Sequence, residues 1–296
     1  MNEIFTELSV FAPAKVNLHL AVLDKRSDGF HNLESFFLAL DFGDKLNFTG
    51  AKEENIMEIS SISRQDAGEN GEWAELICNP TRNIIFKAVT LFRQKTGFSH
   101  GLKIAVEKRI PLGGGLGGGS SDAAAALLAL NKMAGSPLNR EALLETAASL
   151  GSDVPFFIHE TPAARVTGRG ENIEPIDIPP LFLVLVNPGF PSDTARAFSL
   201  LNEYRSSKDF YREPQNLTAL EWSKFKNDFL EVFPEKERDV YNEIISALRS
   251  LGALYASLSG AGATCFGVFK EEKQAQKASE SLQNKWDLVV TACSLG

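Results

Sequence analysis

PLGGGLGGGSSDAAAALLALNKMA, residues Pro111–Ala134, sets the terms on which the rest of the chain is read. Six glycines fall between Gly113 and Gly119 with only Leu116 among them, and glycine at that density carries a folding-entropy cost that an ordinary connection avoids. A bare backbone is required there. Behind the glycines, Ser120 and Ser121 stand at N-cap positions, and the Ala/Leu run that follows predicts a helix stopped by Gly135 and Pro137. A glycine loop that opens a helix presents backbone N–H groups at the positive end of the helix dipole. That is a site for an anion, phosphate above all.

Familiar phosphate loops do not fit the letters. A Walker A loop needs Gly-Lys-Ser/Thr, and no lysine lies between Lys108 and Lys132. The dinucleotide pattern G-x-G-x-x-G is met at Gly113, Gly115 and Gly118, but a window so rich in glycine meets it trivially. The acid it requires about twenty residues further on falls in SPLNREALL, the start of another helix. A protein-kinase glycine loop joins two strands, whereas this one opens a helix. A flexible linker would not carry a capped apolar helix directly behind it.

At 296 residues the chain is long enough for two domains of roughly 100–200 residues each. A formal charge of −8 argues against nucleic acid or an anionic membrane as the main partner. The start, MNEIFTELSVF, lacks the basic opening and apolar run of a signal peptide, and no stretch approaches the roughly twenty apolar residues of a membrane span. The expected compartment is the cytoplasm. Cys78, Cys265 and Cys293 have neither C-x-x-C nor His/Cys spacing, so they read as buried or half-buried thiols rather than a disulfide framework or zinc site.

Upstream of the loop, residues 4–23 read as two strands interrupted by APAKVN. Lys15 sits there among Pro13, Ala14 and Val16, where a strand normally presents an apolar side chain. The plain reading is a lysine snorkelling outward from a sheet edge. Asn17 shares its face if the segment is extended. A turn at Asp28-Gly29 precedes Phe30 and His31, and binding residues collect after turns. A histidine beside an aromatic is commonly structural, yet an aromatic face next to a hydrogen-bonding imidazole also suits a nucleobase. Residues 50–75 are polar, acidic and aperiodic, an exposed hairpin or insertion with no expected chemistry. NIIFKAVTLFRQKT predicts a helix from Asn83 to Thr96, and LKIAVEKRIP an alternating strand that delivers the chain to the loop. Lys108 and Arg109 close that strand, either as positive charge at the loop's entrance or as solvated strand-end charges.

Downstream, a helix from Asn139 to Leu150 leads into LGSDVPFFI. Ser152 or Asp153 caps the next short helix, with Pro155 in its first turn, and capping alone explains an acid there. Against this, Val154, Phe156, Phe157 and Ile158 surround the carboxylate, and a buried acid needs a partner. ENIEPIDIPP, residues 171–180, reads as the join between domains spanning 1–175 and 176–296. LFLVLV is a buried strand ending at Asn187, and Ser192, Asp193 or Thr194 caps a helix containing Ala197 and Phe198. Residues 202–237 read as surface helices and loops. Helix 238–251, strand 254–258, strand 263–269, helix 271–284 and strand 286–293 suggest a ferredoxin-like plait. Ser259-Gly260-Ala261-Gly262 is a second small-residue loop, suited to closing over a ligand or to a tight strand connection.

Three separated stretches, PAKVNLHLAVLDKRSDGFHNLESFF, PLGGGLGGGSSDAAAAL and LSGAGATCFG, resemble motifs 1, 2 and 3 of the GHMP kinases in kind and order. DGFHNL and SDVPFF narrow the resemblance to the branch acting on a cytidine-diphosphate derivative of methylerythritol. The resemblance implies an α+β fold of two domains, the first similar to ribosomal protein S5 domain 2 and the second ferredoxin-like, with the active site between them. It implies an ATP-dependent kinase with Mg²⁺ and a small-molecule substrate. Lys15 and Asp153 match the catalytic lysine and aspartate, Asn17 a substrate-contacting asparagine, and His31 the cytosine-reading histidine. Phe30 and Phe198 match the aromatics that sandwich the cytosine, although the family often has tyrosine at the Phe30 position. On the ATP side Pro111, Leu112, Gly113, Gly114, Gly115, Leu116, Gly117, Gly118, Gly119, Ser120 and Ser121 match the phosphate loop, and Asn83 and Lys108 adenosine contacts. A cation paired with Asp153 would make it a weaker base, so positioning of the hydroxyl matters more in a loose phosphoryl-transfer transition state. Another GHMP kinase, acting on mevalonate, homoserine or a sugar, has no base to stack on the aromatics; a catalytically silent nucleotide-binding module has no need of both Lys15 and Asp153.

Overall fold

A computed structural model describes residues 7–51, 53–54, 56–63, 79, 82–206 and 221–296. They form two compact units that are discontinuous in sequence: the described residues of 1–14, 42–110 and 117–160, and residues 15–41, 111–116 and 161–296. The contiguous division at 175/176 is a different partition from this one. Four residues of the expected join, Asn172–Pro175, form a strand, β6.

In the first unit, β4 (Gly101–Lys108) pairs antiparallel with the second half of β2 (His31–Ala51), from Lys45↔Glu107 to Ala51↔Gly101. On its other edge β4 pairs parallel with β3 (Met57–Ser63), so part of the polar 50–75 stretch is sheet. Among the described residues, four helices accompany these strands. Helix α1 (Ile84–Thr96) is capped by Asn83, whose side chain accepts from Ile85 N, and it buries Ile85, Ala88, Val89 and Phe92 at helical spacing before ending on left-handed Gly97. Helix α2 (Gly118–Met133) buries Ala123, Ala124, Leu127 and Leu130. Its many alanines let α1 and α4 (Val154–His159) approach closely. Helix α3 (Arg140–Leu150) is capped by Asn139, which accepts from Ala142 N.

The second unit holds the first half of β2, which pairs antiparallel with β5 (Ala163–Gly168), and β5 pairs in turn with β6. Then follow β7 (Phe182–Asn187), α5 (Thr194–Ser206), α6 (Glu235–Ser250), β8 (Tyr255–Leu258), β9 (Cys265–Phe269), α7 (Glu272–Leu282) and β10 (Leu288–Cys293). Their sheet runs β10-β7-β9-β8, all antiparallel, which is the strand order of a ferredoxin-like plait with α5 inserted after its first strand. Leu20 and Val22 join the core of that sheet with Tyr241, Ile244, Leu258 and Phe269. The described part of residues 4–23 lies in one strand, β1 (Glu7–Lys25), rather than two, and residues 4–6 lie outside the described residues. Pro13 is tolerated there without breaking it. Cys265 is buried and Cys293 partly so, while Cys78 lies outside the described residues.

Candidate active site

The glycine loop begins in the second unit, where the backbone of Gly113–Gly115 is tied down at every residue. Gly113 O accepts from Ser192 N at 3.0 Å and Ala263 N at 3.1 Å, Gly114 O from Thr264 N at 3.1 Å, and Gly115 O from Ser259 Oγ at 2.9 Å. The 259–262 loop is thus a strand connection that straps the glycine loop. Gly115 shows why glycine is needed: its φ is +72°, and a Cβ there would sit 2.1 Å from Ser259 O. Downstream, Gly117, at φ 71°, is the N-cap of α2 and no side chain caps that end. Ser120 and Ser121 are therefore residues of the first turn, not caps. The first N–H groups of α2, from Gly118 to Ser120, have no acceptor within the helix, the condition for receiving an anion.

Lys15 is 3% exposed, so it does not snorkel from an edge. Its backbone N donates to Leu116 O at 2.9 Å, placing it beside the glycine loop. Its Nζ donates to Asn17 Oδ1 at 2.7 Å and lies 4.3 Å from the centre of the Phe37 ring. Asn17 Nδ2 donates to Ser35 Oγ at 3.0 Å, and Ser35 Oγ to His19 O at 2.5 Å. Period-two alternation puts Lys15 and Asn17 on one face, and this chain of bonds locks both rotamers. Ser259 Oγ also accepts from Asn17 N at 3.2 Å, so one hydroxyl links the lysine strand to Gly115.

His31 and Phe198 come together as well. Their rings stack directly, with centroids 5.3 Å apart and planes at 19°. His31 Nε2 is 2.9 Å from Asn202 Oδ1, one turn along α5 from Phe198. Burial is the main cause holding the His31 pKa below its ordinary value. Phe30 is 51% exposed, and the Arg169 guanidinium carbon lies 5.4 Å from its ring centre.

In the first unit, Asp153 occupies the N-cap position of α4 but its side chain makes no capping bond. The capping explanation of this acid therefore fails. Asn83, by contrast, has its side-chain oxygen engaged as the cap of α1. Lys108 is neither a solvated strand-end charge nor positive charge offered at the loop's entrance. Its side chain is 6% exposed, and Nζ donates to Asp44 Oδ2 and, at 2.7 Å, to Asp122 Oδ2. Burial alone would lower the Lys108 pKa, but Asp122 and Asp44 outweigh it and hold it above the usual value. Burial pushes Asp122 up to about 7 against the pull of Lys108.

Sequence reasoning missed Asp44, Asp122 and Asn202. Asp44, in GDKL, looks like a turn residue, and Asp122 like a first-turn acid of the kind helices favour. Only the pairing of distant strands and helices gives either a role.

Comparisons with known proteins identify the family. The model of the GHMP kinases N terminal domain matches residues 83–161, and that of the GHMP kinases C terminal domain residues 216–288. A homoserine kinase from Cytophaga hutchinsonii superposes with a TM-score of 0.66 at 17% identity, covering 100% of this chain and 96% of its own, which shows a shared fold. The chain belongs to the GHMP kinases, a class of ATP-dependent small-molecule kinases. A 4-diphosphocytidyl-2-C-methyl-D-erythritol kinase from Geobacter metallireducens is 36% identical over 291 residues, covering 96% of this chain and 97% of its own. A crystal structure of 4-(cytidine 5'-diphospho)-2C-methyl-D-erythritol kinase superposes with a TM-score of 0.78 at 29% identity, covering 98% of this chain and all of the other. Within its class, the chain belongs to the 4-diphosphocytidyl-2-C-methyl-D-erythritol kinase family.

Proposed function

We propose that this kinase transfers the γ-phosphoryl group of ATP to the 2-hydroxyl of 4-diphosphocytidyl-2-C-methyl-D-erythritol, giving the 2-phosphate and ADP in the non-mevalonate isoprenoid pathway. The observation that carries the reading is Lys15: an ammonium buried to 3% exposure, oriented by Asn17, and hydrogen-bonded through its own backbone to Leu116 of the glycine loop. A fold gains little from burying a lysine there. A charge held in a dry site acts strongly on charge developing during phosphoryl transfer.

The glycine loop and the first turn of α2 hold the phosphates through backbone N–H groups. Lys15 steadies charge moving onto the transferring phosphoryl oxygens. Asp153 orients the 2-hydroxyl and accepts its proton as the bond to phosphorus forms and the bond to ADP breaks. His31, Phe198 and Phe30 hold the cytosine, and the Phe198 ring that stacks on His31 is the surface a base would share or displace. Asn17 contributes by fixing Lys15. No group of three or more His, Cys, Asp or Glu side chains able to hold a metal ion occurs among the described residues, and the Mg²⁺ proposed here would enter as a complex with the nucleotide's phosphates. Ser121 Oγ, buried and without a hydrogen-bond partner among the described residues, stands in the first turn where such a complex would dock. Bound Mg²⁺ supplies charge neutralisation of the phosphate oxygens. No helix among the described residues is long and apolar enough to cross a membrane, and the proposed setting is the cytoplasm.

Asp153→Asn tests the assignment: turnover should fall by roughly 10²-fold or more while ATP affinity, measured by calorimetry, stays within about threefold. Near-normal turnover in that variant would remove Asp153 from the chemistry.

A further inference from the structure

We propose that Asp44, Lys108 and Asp122 form an internal ion triplet that positions the phosphate loop, tying the strand that enters it to the helix that leaves it, so that nucleotide affinity depends on the triplet. The proposal rests on the reading of the glycine loop as an ATP phosphate site.

The connectivity of the three side chains carries the inference. Asp44 comes from β2 and is fully buried. Its Oδ1 accepts from the backbone N–H groups of both Arg109, at 2.5 Å, and Ile110, at 2.9 Å, the two residues immediately before Pro111. Its Oδ2 accepts from Lys108 Nζ. One carboxylate thus fixes the last side chain of β4 and the next two peptide groups. Lys108 Nζ then donates across to Asp122 Oδ2 at 2.7 Å, and Asp122 lies in α2, just past the glycines, at 4% exposure. The chain from 108 to 122 is therefore closed at its neck by a salt bridge.

A glycine-rich loop left to itself samples many conformations, and the closure entropy of a flexible segment falls on whatever fixes its ends. Here the side chain of Asp44 holds the approach to the loop, and Lys108 holds the departing helix at a set spacing from it. The N–H groups at the start of α2 keep their direction only if that helix cannot slide or rotate relative to β4.

A buried ion triplet is a poor choice for stability alone, since well-packed apolar side chains of similar volume serve as well or better. What ions provide is direction, because each bond has a defined donor and acceptor. The alternative use of Lys108, as a contact to adenosine, is harder to reconcile with two carboxylates already on its ammonium.

The test is ATP titration and steady-state kinetics on the full chain, with wild type beside Asp122→Ala, Asp122→Asn and Asp44→Asn. Asp122→Ala should raise the KM for ATP about tenfold or more with kcat within about threefold. Asp122→Asn keeps an acceptor oxygen for Lys108 Nζ and should return the KM to within about threefold of wild type. Asp44→Asn, whose single acceptor oxygen cannot serve Lys108 and both peptide groups, should raise it as Asp122→Ala does. Circular dichroism at the assay temperature identifies any variant that has unfolded, and the milder Asp122→Asn and Asp44→Asn variants then decide. ATP affinity unchanged in every folded variant, or a loss confined to kcat, overturns the positioning role. Failure of wild type itself to bind ATP would instead overturn the reading of the loop.

Discussion

Lys15 and Lys108 are both buried strand lysines near the glycine loop, and the molecule surrounds them in different ways. Lys108 has two carboxylates within salt-bridge distance, so its charge is cancelled where it stands. Lys15 donates to the Asn17 amide and lies against the face of Phe37, contacts that fix the direction of its ammonium beside the glycine loop. The first arrangement uses a cation to hold a backbone. Under the proposed function, the second presents one to a reaction.

Substituting each lysine by methionine, similar in volume and uncharged, should separate the two uses. Lys108→Met leaves two buried carboxylates facing one another and should lower unfolding free energy by about 3–5 kcal/mol, read from urea midpoints. Lys15→Met should reduce kcat by roughly 10²–10³-fold, the usual effect of removing one transition-state stabilising group. If Lys15→Met kept its kcat, the distinction would be lost.

A smaller effect concerns the acid shared by the triplet. The folded-state pKa of Asp122 is raised to about 7 by burial, far above the roughly 3.9 of an unfolded aspartate. Between about pH 4 and 7 the folded chain therefore binds the extra proton, so this group's contribution to stability declines as pH rises through that window and is flat beyond it. Asp122→Asn cannot titrate. Its stability should gain on wild type as pH rises from 5 to 8, and parallel pH profiles would show that Asp122 does not carry the shift.

How far the letters could take the reader differs for the two lysines. Lys15 was conspicuous, since a lysine inside APAKVN breaks an apolar strand pattern, and its burial beside Asn17 follows from strand periodicity. Lys108 looked like charge at the loop's entrance because its partners, Asp44 and Asp122, are 64 and 14 residues away in sequence, and no local rule pairs them. The plait was legible because each of its elements has its own period and punctuation, and the observed order β10-β7-β9-β8 needs nothing further. The strapping of the glycine loop by residues 259–264 was not legible, since it consists of backbone bonds that any sequence offers. The same limit explains Ser120 and Ser121: their type suggested caps, but left-handed Gly117 took that position. His31 and Phe198 were singled out, yet their direct stacking depends on where α5 begins, which Asp193 decides by accepting from Ala195 N at 2.8 Å.

The most direct measurement is ADP release by the purified chain with ATP and Mg²⁺, offered 4-diphosphocytidyl-2-C-methyl-D-erythritol, mevalonate or homoserine in parallel. Turnover with the cytidylyl substrate, at a kcat/KM at least about 10³-fold above the other two, is the expected result, because His31, Phe198 and Phe30 have a base to hold in that substrate alone. Turnover confined to mevalonate or homoserine would contradict the assigned acceptor while leaving the kinase fold and its phosphate loop intact.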